Sequence, residues 1–139
     1  MNLSFPPPLQ PGDLIAITAP SSGVVPAQHA LLDQAIAQLQ QLGFRVVEGE
    51  CLRSQFKNTS ADKQLRAREL MQFLKDPQVK AVMPPWGGEL AMELLELMDF
   101  QCLSRLAPKW FVGFSDLTTL QFPLTTLSGW ATLHGPNLM

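Results

Sequence analysis

Charge, histidine and cysteine are all scarce in this chain, and each scarcity narrows what it can be. Charged residues make up 16% of the 139 positions, and the formal net charge is -2. That balance offers no electrostatic footing for nucleic acid or for an anionic membrane surface. No apolar stretch approaches the roughly 18 residues that a membrane-spanning helix needs. The start, Met1-Asn2-Leu3-Ser4-Phe5-Pro6-Pro7-Pro8, lacks the basic opening and long apolar core of a secretory signal. A cytoplasmic location is the expectation. The only cysteines, Cys51 and Cys102, have no metal-site spacing, and in a reducing compartment both read as unpaired structural thiols. No other cluster suits a metal or a cofactor. The only histidines are His29 and His134. Tyrosine is absent altogether.

What is present is apolar and alternating. Hydrophobic residues reach 46%, enough for one core in one domain. After a proline-rich lead-in over residues 1–12, Asp13 to Ala19 reads as a buried strand, broken by Pro20-Ser21-Ser22-Gly23. From Pro26 to Leu42, Leu31, Leu32, Ala35, Ile36, Leu39 and Leu42 recur at helical spacing, and Gly43 stands at the C-cap. Phe44 to Val47 is the next strand. A second helix opens near Ser60, a candidate N-cap, and Pro77 closes it. Val79 to Met83 is a third strand, followed by the rigid loop Pro84-Pro85-Trp86-Gly87-Gly88. A short helix over Glu89–Met98 and a connection with one helical turn over Asp99–Pro108 come next. Lys109 to Val112 is a strand, Leu117 to Leu127 a helix, and Trp130 to Leu133 a last strand. This alternation predicts an α/β fold, a mostly parallel sheet with helices on both faces in flavodoxin- or Rossmann-like layers. Sites in such sheets form at the carboxyl ends of the strands. Three loops share that end: Pro20–Gly23, Pro84–Gly88 and the turn at Ser115.

Gly113-Phe114-Ser115-Asp116 is the most informative segment. A serine after a glycine, between strand and helix, has the pattern of a nucleophile elbow. The turn lifts the hydroxyl above the sheet, and the helix aims its positive end at the reacting centre. No second glycine closes the elbow, since Leu117 follows Asp116. The alternative is that Ser115 or Asp116 simply caps the helix. Gly87 and Gly88 have no Cβ, so a carbonyl can approach their amides closely; an ordinary strand-to-helix turn would use the same pair.

Ordered segments along nearly the whole chain resemble the N-terminal domain of the LD-carboxypeptidases, a serine peptidase family that includes muramoyltetrapeptide carboxypeptidases and microcin C self-immunity peptidases. They are Pro11-Gly12-Asp13, Ala19-Pro20-Ser21-Ser22, Asp62 through Arg66-Ala67, Asp76 through Ala81, Gly87-Gly88, Met98-Asp99-Phe100, Pro108-Lys109, Gly113 to Asp116 and His134-Gly135-Pro136. The resemblance implies hydrolysis of the L,D-peptide bond of a murein tetrapeptide, with release of D-alanine, in peptidoglycan recycling. It makes Ser115 the nucleophile. The backbone N–H of Asp116, with one from Gly87 or Gly88, becomes the oxyanion hole. It also implies a homodimer. The family's histidine base and its orienting glutamate lie in a C-terminal domain that this sequence does not contain. Residues 1–139 therefore read as the nucleophile-bearing domain alone, inactive by itself.

Trp86 departs from many murein-specific members, which carry a small or basic residue there. An aromatic ring suits a nucleotide base equally well, so a self-immunity type peptidase that cleaves a peptidyl- or aminoacyl-nucleotide is the competing enzyme. A third reading is a non-catalytic remnant that binds peptidoglycan fragments. Ser21 and Ser22 either touch substrate or cap the next helix. The Asp116 side chain reads as a cap for its own helix, in preference to a catalytic carboxylate. His134 reads as structural, His29 as solvent-facing, Arg66 and Arg68 as a solvated or ion-paired face, and Trp110, Phe111 and Phe114 as core.

Overall fold

The computed structural model describes residues 3–139. Positions 1 and 2 of the proline-rich lead-in lie outside the described residues. Five strands form one parallel sheet: β1 (Leu14–Ile17), β2 (Arg45–Glu48), β3 (Val79–Val82), β4 (Trp110–Gly113) and β5 (Leu133–His134). Their spatial order is β2-β1-β3-β4-β5. The order reverses between β1 and β3, so the crevice above their carboxyl ends is the topological switch point where α/β sheets bind ligands. Four helices connect the strands: α1 (His29–Gln41), α2 (Lys63–Lys75), α3 (Phe100–Leu103) and α4 (Thr118–Thr126).

Alternation along β1 separates the two cores. Ala16 joins a cluster with Leu70, Phe73 and Leu74 of α2, Val82, Phe111, and Leu120 and Leu124 of α4. Ile17 joins a smaller cluster with Val24, Leu52, and Leu32 and Ile36 of α1. Helices therefore cover both faces, as the alternating pattern predicts. Each fully buried Leu, Ile or Phe is worth about 1.5–3 kcal/mol relative to exposure. Gly43 follows the last turn of α1 with φ at +92°, the left-handed position that favours glycine.

Several local expectations are corrected. Asp62, not Ser60, caps α2: its Oδ1 accepts the Leu65 N–H at 2.8 Å. Ser60 is buried, and its hydroxyl donates to the Ala19 carbonyl at 2.6 Å. The helix expected over Glu89–Met98 shrinks to a 3-10 turn, Ala91–Leu94. Of the last expected strand only Leu133 pairs with β4, together with His134 just beyond it; Trp130 forms an isolated bridge to Ser4 instead. Phe114 is exposed rather than core. His29 is half-buried, its Nε2 2.9 Å from the Val24 carbonyl oxygen.

Candidate active site

Strand β4 ends in Gly113, and the chain turns at once into a 3-10 turn, Ser115–Leu117, that runs into α4. Gly113 has φ at +158°, and a Cβ there would come within 2.5 Å of the Leu117 side chain. Ser115 takes φ at +62°. A non-glycine residue in the left-handed region costs of order 1–3 kcal/mol and persists only where its surroundings hold it. They do so from both sides. The Phe114 N–H donates to Asn137 Oδ1 at 3.1 Å. Gln121 Nε2 donates to the Gly113 carbonyl at 3.0 Å and the Leu133 carbonyl at 2.8 Å, clipping β4 to β5 beneath the turn. Ser115 itself is exposed at the top of the sheet.

The loops after β1 and β3 meet this turn. A Cβ on Gly87 would lie 3.2 Å from the Asp116 backbone nitrogen and 3.4 Å from the Ser115 Cβ. A Cβ on Gly88, where φ is +154°, would lie 2.3 Å from Ser21 Oγ and 2.5 Å from Ser22 Oγ. Gly88 is thus required by close approach, while Gly87 packs so tightly that a Cβ would make its neighbours give by a few tenths of an ångström. Among the described residues, no acceptor takes the backbone N–H of Gly87, Gly88 or Asp116. The unengaged amides of Asp116 and of Gly87, which packs against Ser115, can stabilise an anion that develops there.

The Asp116 side chain does not cap its own helix, which corrects the sequence reading. Its Oδ2 accepts the Ser21 hydroxyl at 2.5 Å and the Ala91 N–H at 2.9 Å. Nor do the serines after β1 cap a helix, since the turn into α1 begins at Pro26. Ser21 is fully buried, while Ser22 is half-buried and lines a cleft of about 380 Å³ with Gln55, Asn58, Gly88 and Glu89. Trp86 is half-buried against the smaller core cluster, and its indole N–H donates to the Ser22 carbonyl at 3.2 Å. It therefore staples the β3 loop to the β1 loop. His134 is exposed and pairs with Gly113 across the sheet.

Arg66 is the group that sequence reasoning undervalued. It is 1% exposed, on the buried side of α2. Its guanidinium donates to the carbonyls of Ala61 at 2.9 Å, Pro20 at 2.9 Å and Leu90 at 3.1 Å, and pairs with Glu93. Pro20 opens the first loop and Leu90 follows the second, so Arg66 braces both; Arg68, two residues along the helix, is exposed. Behind the site, the buried Glu69 accepts from the Thr18 hydroxyl and from the Cys51 N–H at 3.1 Å. Burial, then Glu69, pushes the Cys51 thiol up to about 12. Apolar periodicity and turn residues do not mark Arg66, Asn137 or Gln121 as site-building, because each acts on backbone groups of other elements.

The fold and this constellation define an α/β domain with a serine elbow at the carboxyl ends of parallel strands, facing a glycine loop. The chain belongs to the LD-carboxypeptidase family: the model of the LD-carboxypeptidase N-terminal domain matches residues 15–135. A probable murein peptide carboxypeptidase of Bacillus subtilis is 34% identical over 133 residues, covering 96% of this chain and 40% of its own length. Among solved structures, a muramoyltetrapeptide carboxypeptidase from Oxalobacter formigenes superposes with a TM-score of 0.75 at 32% identity, over 91% of this chain and 40% of that one. The microcin C7 self-immunity protein, from Escherichia coli, superposes at 0.84 and 27% identity in its complex with aspartyl sulfamoyl adenosine, over 98% of this chain and 40% of that one. The chain thus spans about two fifths of the length of the curated relatives it matches.

Proposed function

We propose that Ser115 is the nucleophile of a serine carboxypeptidase that cleaves the L,D-peptide bond of murein tetrapeptides and releases D-alanine. The observation that carries this reading is the exposed, left-handed serine held beside unengaged backbone donors. In this mechanism the Ser115 hydroxyl attacks the scissile carbonyl as a base removes its proton. The oxyanion receives hydrogen bonds from the N–H of Asp116 and from Gly87 or Gly88, each worth about 3 kcal/mol of barrier. The proton passes to the departing amine of D-alanine. Water then attacks the Ser115 ester, and the hydroxyl is restored. The base, a histidine oriented by a glutamate in the family resemblance, comes from outside residues 1–139. In this reading the protein works in the cytoplasm in peptidoglycan recycling, as a homodimer, and the 139 residues alone turn over negligibly.

A second reading keeps the same chemistry and changes the substrate to an aminoacyl- or peptidyl-nucleotide. Its support is the likeness to the self-immunity protein in its nucleotide-conjugate complex. Trp86 is the residue that would meet the base. Its engaged indole N–H and its packing against the core favour a structural role, and so favour murein. The test is kcat/KM for a murein tetrapeptide beside an aminoacyl sulfamoyl-adenosine, measured on the full native reading frame. Preference for the tetrapeptide supports the first reading, and preference for the conjugate supports the second. Binding of peptidoglycan fragments without cleavage would leave only the remnant role.

A further inference from the structure

We propose that the Asp116 carboxylate is a positioning group that locks the Gly87-Gly88 loop in register with the elbow. The inference rests on the hydrolase reading above and assigns to that site a residue with two separate duties. The Asp116 backbone N–H is one oxyanion donor. Its side chain reaches away from the reacting centre to hold the loop that carries the other donor.

The geometry is specific. One oxygen, Oδ2, accepts from Ser21, which follows β1, and from Ala91, which follows the glycine pair. The Leu90 N–H adds a longer contact to Ser21 Oγ at 3.4 Å. The glycine pair therefore sits between two anchor points that share a single carboxylate oxygen. Gly88 is the complement of this clamp, because any Cβ there would occupy the position of the Ser21 hydroxyl. Gly87 completes it by resting against the Asp116 backbone nitrogen. Arg66 holds the same loops through Pro20 and Leu90, yet none of its hydrogen bonds reaches the elbow. Among the described residues, Asp116 is the side chain that hydrogen-bonds from the elbow to both loops.

Losing the clamp lets one oxyanion donor move relative to the other. A misplacement of about 1 Å costs on the order of 100-fold in rate. Asp116→Ala in the full native reading frame is expected to lower kcat about 100-fold with KM within about twofold. Asp116→Asn keeps an oxygen acceptor toward Ser21 and Ala91, and its kcat stays within about tenfold of wild type. Ser21→Ala lowers kcat about tenfold, and the Ser21→Ala, Asp116→Ala double variant is no slower than Asp116→Ala alone. Hydrogen exchange at the Ala91 amide accelerates in Asp116→Ala.

An Asp116→Ala enzyme with kcat within threefold of wild type overturns the proposal. So does unchanged Ala91 protection, or a double variant whose losses multiply. If Asp116→Ala fails to fold, Ser21→Ala decides: a fall in kcat supports the clamp, and a pure KM change or no change overturns it. Absence of Ser115-dependent turnover in the wild type removes the hydrolase reading instead, and Ala91 exchange then decides the clamp alone.

Discussion

Replacing Arg66 by alanine tests whether the site stands on a buried brace. The guanidinium is 1% exposed and donates to three backbone carbonyls besides pairing with Glu93. Truncation leaves those carbonyls without their donor and removes a long side chain from packed surroundings. A hydrogen bond to a charged group contributes about 1.5–3 kcal/mol. Breaking a buried ion pair costs about 3–5 kcal/mol when the abandoned charge stays buried. Glu93 retains 37% side-chain exposure, so water recovers part of its loss. The desolvation of the guanidinium itself is also recovered on removal. These terms together point to a net destabilisation of about 3 kcal/mol. A domain of this size has roughly 7–20 kcal/mol of stability, so Arg66→Ala folds and melts about 10 °C lower. Arg68→Ala, on the exposed side of the same helix, changes stability by less than about 0.5 kcal/mol. Urea unfolding of the wild type and both variants measures this directly. An Arg66→Ala chain within 1 kcal/mol of wild type, or equal effects at positions 66 and 68, would refute the buried-brace reasoning.

Other expectations follow from particular positions. Gly88→Ala forces a Cβ onto the Ser21 and Ser22 hydroxyls at a φ of +154°, so it lowers activity of the full enzyme at least 100-fold by the misplacement estimate; near-normal kcat/KM would contradict the close approach. Trp86→Phe loses the hydrogen bond to Ser22 and destabilises by about 1 kcal/mol, read from the urea midpoint. Cys51 is held neutral in the folded state, so stability linked to it is complete below the ordinary thiol value of 9.0 and drains as pH climbs toward about 12. The alkaline limb of a pH–stability profile should accordingly flatten in Cys51→Ala. Below pH 9 the native chain should leave Cys51 unlabelled by maleimide, since it has no exposed surface.

The layers, the helix C-cap at Gly43 and the three convergent loops were legible in the sequence because they rest on local signals. Apolar alternation, proline breaks and glycine pairs announce themselves within a few residues. The failures have a common source: backbone and side-chain polar groups that choose partners outside their own element. Residues 89–98 have helical composition, yet the Leu90 carbonyl goes to Arg66 and the Ala91 N–H to Asp116, so only a 3-10 turn remains. Trp130 has the apolar bulk of a strand residue, but its N–H goes to Leu124 and its indole N–H to Leu103. Asp116 stood where a cap would stand, and its reach to Ser21, 95 residues away, has no local trace. The pattern singled out Ser115, and the structure gives that residue a left-handed backbone.

The most direct test of the central claim is D-alanine release from a murein tetrapeptide by the full native reading frame, with Ser115→Ala alongside. The account predicts steady release by the wild type and a fall of at least about 1,000-fold in the folded variant, the scale of losing a nucleophile. Equal release by both proteins would contradict Ser115 as the nucleophile.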